Sequence, residues 1–255
     1  MVRPMVGYAE DFPNGHNIRR HRHSSAQLIY AAAGVMTVST EHGRWVVPPQ
    51  RAVWVPARVT HAIRMTGMVQ MRTLYLDATA LRAVPAGCCV VPVGPLLREL
   101  ILRVIRFAQP YALDGPEARV VAVVLDEIAA ARVTPLHLPM PKDRRLLAVT
   151  TRLLDDPADQ RTLAAWSRSA GASARTLARL FRAETGMSFA RWRQQARLLH
   201  AMRLLARGEA VTSTALEVGY DSPSAFIAAF TQIMGTTPGR YYRAHKSTNQ
   251  TASAK

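Results

Sequence analysis

Two kinds of hydrophobic spacing divide the chain. Up to about residue 80 the apolar positions come in short stretches rich in Val, Ile, Thr and aromatics: Gln27–Ala32, Val35–Thr40, Trp45–Val47, Val53–Val55 and Val69–Leu76. Gly34, Gly43, Pro48-Pro49, Pro56 and Gly67 stand between them, and along Met68–Leu76 the side chains alternate between two faces. The pattern predicts several short strands joined by turns, hence a small antiparallel barrel or sandwich. From Pro95 the period becomes helical. Leu96, Leu97, Leu100, Ile101, Val104 and Ile105 share a stripe, and Pro110 stops the run. A second helix, about Glu117 to Ala131, places Val120, Val121, Val124, Leu125 and Ile128 on one side. These two helices are expected to pack on the barrel or against a second subunit. The segment Arg132–Pro141, with Pro135, Pro139 and Pro141, reads as a linker.

Residues 142–243 read as helical throughout. Asp143 is placed to cap a helix ending near Asp155. Helices are then expected at Thr162–Ala170, Ala174–Glu184, Ser188–Ala206, Thr212–Val218 and Ser222–Met234. The polar tail Ser247–Lys255 is expected to be disordered. The predicted fold class is therefore α+β in two domains. Residues 1–131 form the β-domain with its two helices, 132–141 the linker, 142–243 an all-α domain and 244–255 a tail.

The helical region repeats a single pattern. In Leu163–Phe181 two short helices meet at Gly171, Ser173 caps the second, and Leu177, Leu180 and Phe181 form its buried stripe. Arg175, Arg179 and Arg182 then fall together on another face. Guanidiniums on the second helix of a helix-turn-helix suit the major groove, where Arg pairs bidentately with guanine or with flanking phosphates. A solvated basic helix would show the same residues. Thr212–Phe230 repeats the arrangement around Gly219. Between the two, Ser188–Ala206 makes a rod of about 19 residues, or about 28 Å. That length suits two reading helices on one side of a duplex, whose successive major-groove faces lie about 34 Å apart.

Composition narrows the class. The 255 residues are 49% hydrophobic and 20% charged, which excludes whole-chain disorder. No run approaches the roughly 18 apolar residues of a membrane span, and Met1–Glu10 lacks the apolar core of a signal peptide. The adjacent pair Cys88 and Cys89 cannot build a disulfide framework; buried thiols are expected there, ahead of a redox sensor. A cytoplasmic protein without a membrane partner is expected. The net charge is +16, from 33 basic and 17 acidic residues. All but Lys142, Lys246 and Lys255 of the basic residues are arginine, as a GC-rich coding sequence also gives. Their placement is more telling. Residues 1–139 carry 15 basic against 9 acidic side chains, and residues 140–255 carry 18 against 8. The helical half therefore suits a polyanion, above all double-stranded DNA.

At several spaced anchors, residues 142–243 resemble the DNA-binding domain of AraC/XylS-type transcription regulators. The anchors are the Gly171-x-Ser173 turn, Phe181 followed by Gly186, the block Ala215–Phe230 and the terminal Gly235-x-x-Pro238-x-x-Tyr241. The resemblance implies two reading helices in adjacent major-groove segments, with Arg175 and Arg179 touching bases. Ser173, Arg175, Thr176, Arg179 and Arg182 are the candidate DNA contacts of the first unit, Ser222 and Ser224 those of the second. The second unit departs from the pattern, having no basic residue between Gly219 and Gly235. Phosphate anchoring by its helix N-terminus and apolar contact with thymine methyls are expected instead.

The N-terminal region is similar to a cupin. Gly15, His21, His23, Gln27 and Gly34 match the spacing of the first cupin motif, with Gln27 where that motif has glutamate. The second motif survives only as Pro56-x-Arg58-x-x-His61. Two histidines two apart on a strand would share a face, and His61 on a neighbouring strand would complete a facial metal site. Gln27 would be a weak fourth ligand. Three readings follow: a divalent-metal site, an effector pocket or structural packing without metal, and a metalloenzyme, which normally wants the missing carboxylate. His16, His42, His137, His200 and His245 form no constellation and are expected at the surface. The combined expectation is a sequence-specific transcription regulator without catalytic residues. Its small-molecule effector would bind in the barrel, it would form a homodimer, and it would contact RNA polymerase if it activates. The alternative is a cupin-type metalloenzyme with an appended DNA-binding module.

Overall fold

Two long strands, rather than many short ones, organise the first half of the chain. The computed structural model describes residues 4–77, 85–133 and 136–242, and the chain divides into two compact units, residues 1–41 with 45–137 and residues 42–44 with 138–255. In the first unit β1 (Met5–Phe12), β2 (Asn17–His21), β3 (Ala26–Ser39), β4 (Gly43–Val47), β5 (Arg51–Val55), β6 (His61–Leu76) and β7 (Cys89–Pro92) form an antiparallel sheet. β3 and β6 lie side by side along nearly their whole length. One half of β6 also pairs with β1 and its other half with β2, while β5 bridges β3 and β7.

Gly34 and Gly67, expected to end strands, instead lie inside β3 and β6. The β3–β6 register shifts on either side of Ala33, so the glycines bend the strands without breaking them. Gly34 has φ +72°, and a Cβ there would sit 2.4 Å from the Met68 carbonyl oxygen. Only glycine suits that position, and the reason lies on the partner strand. β1 and β2 went unpredicted because their exposed faces interrupt the apolar pattern.

Helices α1 (Pro95–Ile105) and α2 (Pro116–Ala130) cover one face of the sheet. Leu97, Ile101 and Val104 from α1 and Val121, Val124 and Ile128 from α2 join Leu28, Tyr30, Trp54, Leu74 and Leu76 in one core. Val120 and Leu125 are only partly buried there, and Leu96 and Val123 face outward, 55% and 41% exposed. α1 ends at Ile105, before Pro110. The segment expected as a linker contains a short strand, β8 (His137–Pro139). Leu136 and Leu138 are buried, and the Val46 N–H donates to the Leu136 carbonyl at 3.2 Å. Apolar anchoring outweighs the proline content. The expected tail at 244–255 lies outside the described residues.

The second unit is a stack of capped helices: α3 (Arg144–Asp155), α4 (Leu163–Ala170), α5 (Ala174–Thr185), α6 (Phe189–Ala206), α7 (Val211–Glu217) and α8 (Pro223–Met234), followed by a helical turn at 238–242. Asp143, Thr162, Ser173, Ser188 and Ser222 each accept a backbone N–H at a helix start. α6 is the axis of the unit. Trp192, Ala196, Leu198, Leu199, Ala201, Met202, Leu204 and Leu205 bury it on several sides, because α3, α5 and α7 all pack on it. The Trp192 indole N–H donates to the Pro139 carbonyl at 2.7 Å.

Candidate functional site

The first paired unit is α4 and α5, which turn at Gly171. The Ser173 hydroxyl accepts the Thr176 N–H at 3.1 Å and lies 2.9 Å from the Thr176 hydroxyl, which fixes where α5 begins. Leu177 and Phe181 are fully buried, while Leu180, expected in the same stripe, is half-buried. Phe181 packs edge-on against Phe189 and Trp192, at 5.6 and 5.8 Å between centroids. With that face anchored on α6, Arg175, Arg179 and Arg182 are exposed along the other. Among the described residues none of the three is ion-paired, so their donors remain available to an anion.

The second unit, α7 and α8, is built on aromatics. Tyr220, Phe226, Phe230 and Tyr241 follow one another at 5.5, 5.9 and 6.0 Å. Ser222 caps α8 by accepting the Ala225 N–H at 3.2 Å. Ser224, Ala225 and Ala228 form its exposed face, small enough for a backbone to approach closely.

Arginine placement separates structural from available cations. Arg191, at the start of α6, is exposed. Arg193, two positions further along α6, is half-buried and donates to the Arg161 carbonyl at 3.1 Å. Arg161 itself pairs with Asp159 and lies 3.6 Å over the Trp166 ring. An open groove of about 940 Å³ adjoins it, lined by Lys142, Arg144, Arg145, Arg152, Arg161 and Trp166 among others. No sequence motif announced that groove.

In the first unit, His21, His23 and His61 come together. One ring nitrogen from each lies within 4.8 Å of the others. His21 and His61 are direct partners across β2 and β6, with ring centroids 4.3 Å apart. The route to His23 differs from the expected alternation along one strand. His23 lies beyond the end of β2, in the turn before β3, where its carbonyl accepts the Arg58 N–H at 2.9 Å. Gln27 is buried, with Oε1 3.0 Å from His23 Nε2 and its amide nitrogen donating to Thr73 Oγ1 at 2.9 Å. Burial lowers the His61 pKa below its ordinary value, with the neighbouring His21 and His23 acting in the same direction. A cleft of about 380 Å³ opens beside His23 and is lined by Arg22, Ser24 and Arg58.

His16 and His42 are exposed, as expected, His245 lies outside the described residues, and His137, His200 and the cysteines have structural surroundings. His137 stacks on Trp45, 4.4 Å between centroids. His200 is half-buried, with Nδ1 accepting from Arg203 at 3.0 Å. Neither is the plain surface residue expected, because each lies against a side chain distant in sequence or one turn away. Cys89 is buried but Cys88 is half-buried, and desolvation pushes both thiols up to about 11, which keeps them protonated at neutral pH.

A β-sheet domain with a histidine-lined rim, joined to a helical unit with two helix-turn-helix motifs, defines a DNA-binding regulator with a ligand-binding domain. Comparison with known proteins gives the same class. Residues 4–117 match the AraC-like ligand binding domain and residues 166–244 a helix-turn-helix domain. The HTH-type transcriptional regulator NimR of Escherichia coli K12 is 36% identical over 221 residues, covering 87% of this chain and 81% of that protein. RipA of Corynebacterium glutamicum is 38% identical over 103 residues, 40% of this chain and 31% of its own. The activator RhaR of Klebsiella pneumoniae is 26% identical over 179 residues, 69% and 55% respectively. The chain belongs to the AraC family of helix-turn-helix transcriptional regulators. This is a family of transcription regulators, which sets aside the metalloenzyme alternative. Among the described residues no helix is long and apolar enough to cross a membrane.

Proposed function

We propose that this regulator reads its operator chiefly through α5. Arg175, Arg179 and Thr176 would face base edges, with Arg182 and Ser173 on flanking phosphates. The observation that carries this reading is the unpaired, exposed ladder of Arg175, Arg179 and Arg182 on a helix whose opposite face is locked onto α6. The α8 N-terminus, with Ser222 and Ser224, contributes phosphate anchoring and close apolar approach, since its exposed face carries no cation. Residues 1–131 act as the sensor, with the small-molecule effector held at the His21, His23, Gln27 and His61 rim. Residues 132–141 join it to the DNA-binding domain at 142–243. A homodimer forms through the outer faces of α1 and α2, where Leu96 and Val123 are exposed. The protein works in the cytoplasm, and if it activates transcription it contacts RNA polymerase. Footprinting on DNA upstream of its own and neighbouring genes tests the reading. A protected site whose affinity falls with Arg179→Ala is expected, and binding indifferent to both DNA sequence and Arg179 would overturn it.

A further inference from the structure

The groove beside Arg161 is cationic at its rim and apolar at its floor. α3 and α4 form its walls. Arg144, Ala148 and Arg152 follow one another a helical turn apart along α3, so they share one face, with a methyl group between two guanidiniums. Both arginines are exposed, as is Lys142 at the end of the groove. Among the described residues none of these three cations is ion-paired. Asp143, the one carboxylate among the described lining residues, is taken up by Arg145 at 2.7 Å. Unpaired cations around one hollow repel one another, and an anion placed between them turns that repulsion into attraction.

The floor adds a second, independent sign. Val149 and Trp166 are buried there, 4% and 5% exposed, and Ala170 contributes another methyl group. Arg161 lies over the Trp166 ring, its own charge answered by Asp159. The Trp166 indole N–H is buried, yet among the described residues nothing accepts it. An indole nitrogen only donates, and a buried donor left so is costly unless something from outside the chain accepts from it. Trp192, the other buried tryptophan of this unit, shows the usual solution by donating to the Pro139 carbonyl.

We propose that the α3–α4 groove is a second ligand site, which takes a small organic anion with a flat apolar body. The acidic group is held by Arg144, Arg152 and Lys142, the body lies on Val149 and Trp166, and an oxygen of the ligand accepts the Trp166 N–H. The volume of about 940 Å³ falls within the range of small-molecule pockets. An inorganic anion would leave the apolar floor bare, and the phosphates of a duplex have no apolar body to lay on it. All the lining residues fall within 142–170, so the site is separate from the sensor role given to residues 1–131. It is also built into the support of the reading helix. Glu184 of α5 accepts the Lys142 and Asp143 N–H groups at 2.7 and 2.9 Å, and Ala170 adjoins the Gly171 turn.

Calorimetric titration of the full-length protein with naphthoate tests this. A saturable site is expected. Naphthylmethanol, the same body without the charge, and acetate, the charge without the body, should each bind about tenfold more weakly or worse. The Arg144→Ala/Arg152→Ala double variant, altered only at exposed positions, should lose about tenfold or more in naphthoate affinity. Trp166→Phe keeps a ring and removes the N–H, and should lose about three- to tenfold. Absent binding, or affinity unchanged in the double variant, overturns the site. Naphthylmethanol binding as tightly as naphthoate overturns the anionic class. The titration repeated on protein saturated with duplex DNA separates the remaining occupant. Retained binding supports a ligand site off the duplex, whereas complete loss assigns the rim cations to DNA phosphates and overturns the proposal.

Discussion

The Arg197 guanidinium lies against Gly219. A Cβ on Gly219 would stand 2.8 Å from Arg197 Nη2 and 2.8 Å from the Ala158 Cα. Arg197 is held there by the Pro157 and Asp159 carbonyls, at 2.9 and 3.3 Å. The Gly219 carbonyl in turn accepts from Gln160 at 2.9 Å. The turn of the second helix-turn-helix is thereby tied to the loop before α4, although the two are far apart in sequence.

Gly219 and Gly171 should therefore differ under the same substitution. Both have positive φ, but the space beside Gly171 is open. Gly171→Ala should cost about 1–2 kcal/mol for the left-handed backbone alone. Gly219→Ala adds an overpacking cost of about 1–3 kcal/mol. Chemical denaturation of the two variants checks this, and equal losses would mean that Arg197 and Ala158 give way freely.

Arg179→Ala should lose about 1–3 kcal/mol at the specific site and relax preference at one base pair. Arg191→Ala should weaken binding on all sequences about equally, as a phosphate contact does. Competition binding with specific and random duplexes separates the two. A uniform loss for Arg179→Ala would remove it from base reading.

His200 predicts an acid-sensitive step in stability. Burial, reinforced by Arg203 and Arg207, lowers its pKa to about 4, against about 6.5 in an unfolded chain. Between those values the unfolded chain takes up a proton that the folded one refuses, so stability falls as pH drops from about 6.5 to about 4 and levels off below. Allowing for solvent screening of a ring that is only partly buried, the loss should be about 1–2 kcal/mol. Urea midpoints at pH 7 and pH 4.5 should show this extra loss in the native chain and not in His200→Gln.

A fragment of residues 142–255 should fold and bind DNA more weakly than the full chain, because dimerisation raises the effective concentration of the second DNA-binding domain. Undiminished affinity at matched salt would argue against a dimerising N-terminal region.

The helical half was far more legible than the sheet, for local reasons. Asp143, Thr162, Ser173, Ser188 and Ser222 mark helix starts by bonding to backbone two or three residues away, so the short-range sequence carries the signal. Gly34 and Gly67 were misleading because glycine marks a turn and a bulge alike, and which one it is depends on the paired strand. The same holds for function. The exposure of Arg175 and Arg179 followed from helical period alone. The diversion of Arg193 to a carbonyl 32 residues back did not. The histidine spacing announced a cluster, but the turn that delivers His23, and the Thr73 hydroxyl that aims Gln27 at it, are tertiary facts.

The burial of α6 also bears on how an operator can change. Ten of its eighteen residues are buried, so the two motifs mounted on it form one gauge of fixed length. A duplex read by both must present its two half-elements in helical phase. Inserting a single base pair between them turns one half-element by about 35° around the DNA axis, and a rigid gauge cannot follow. Base substitutions under α5 should then weaken operator binding by degrees, whereas a small insertion between the two half-elements should remove the whole contribution of α8 at once.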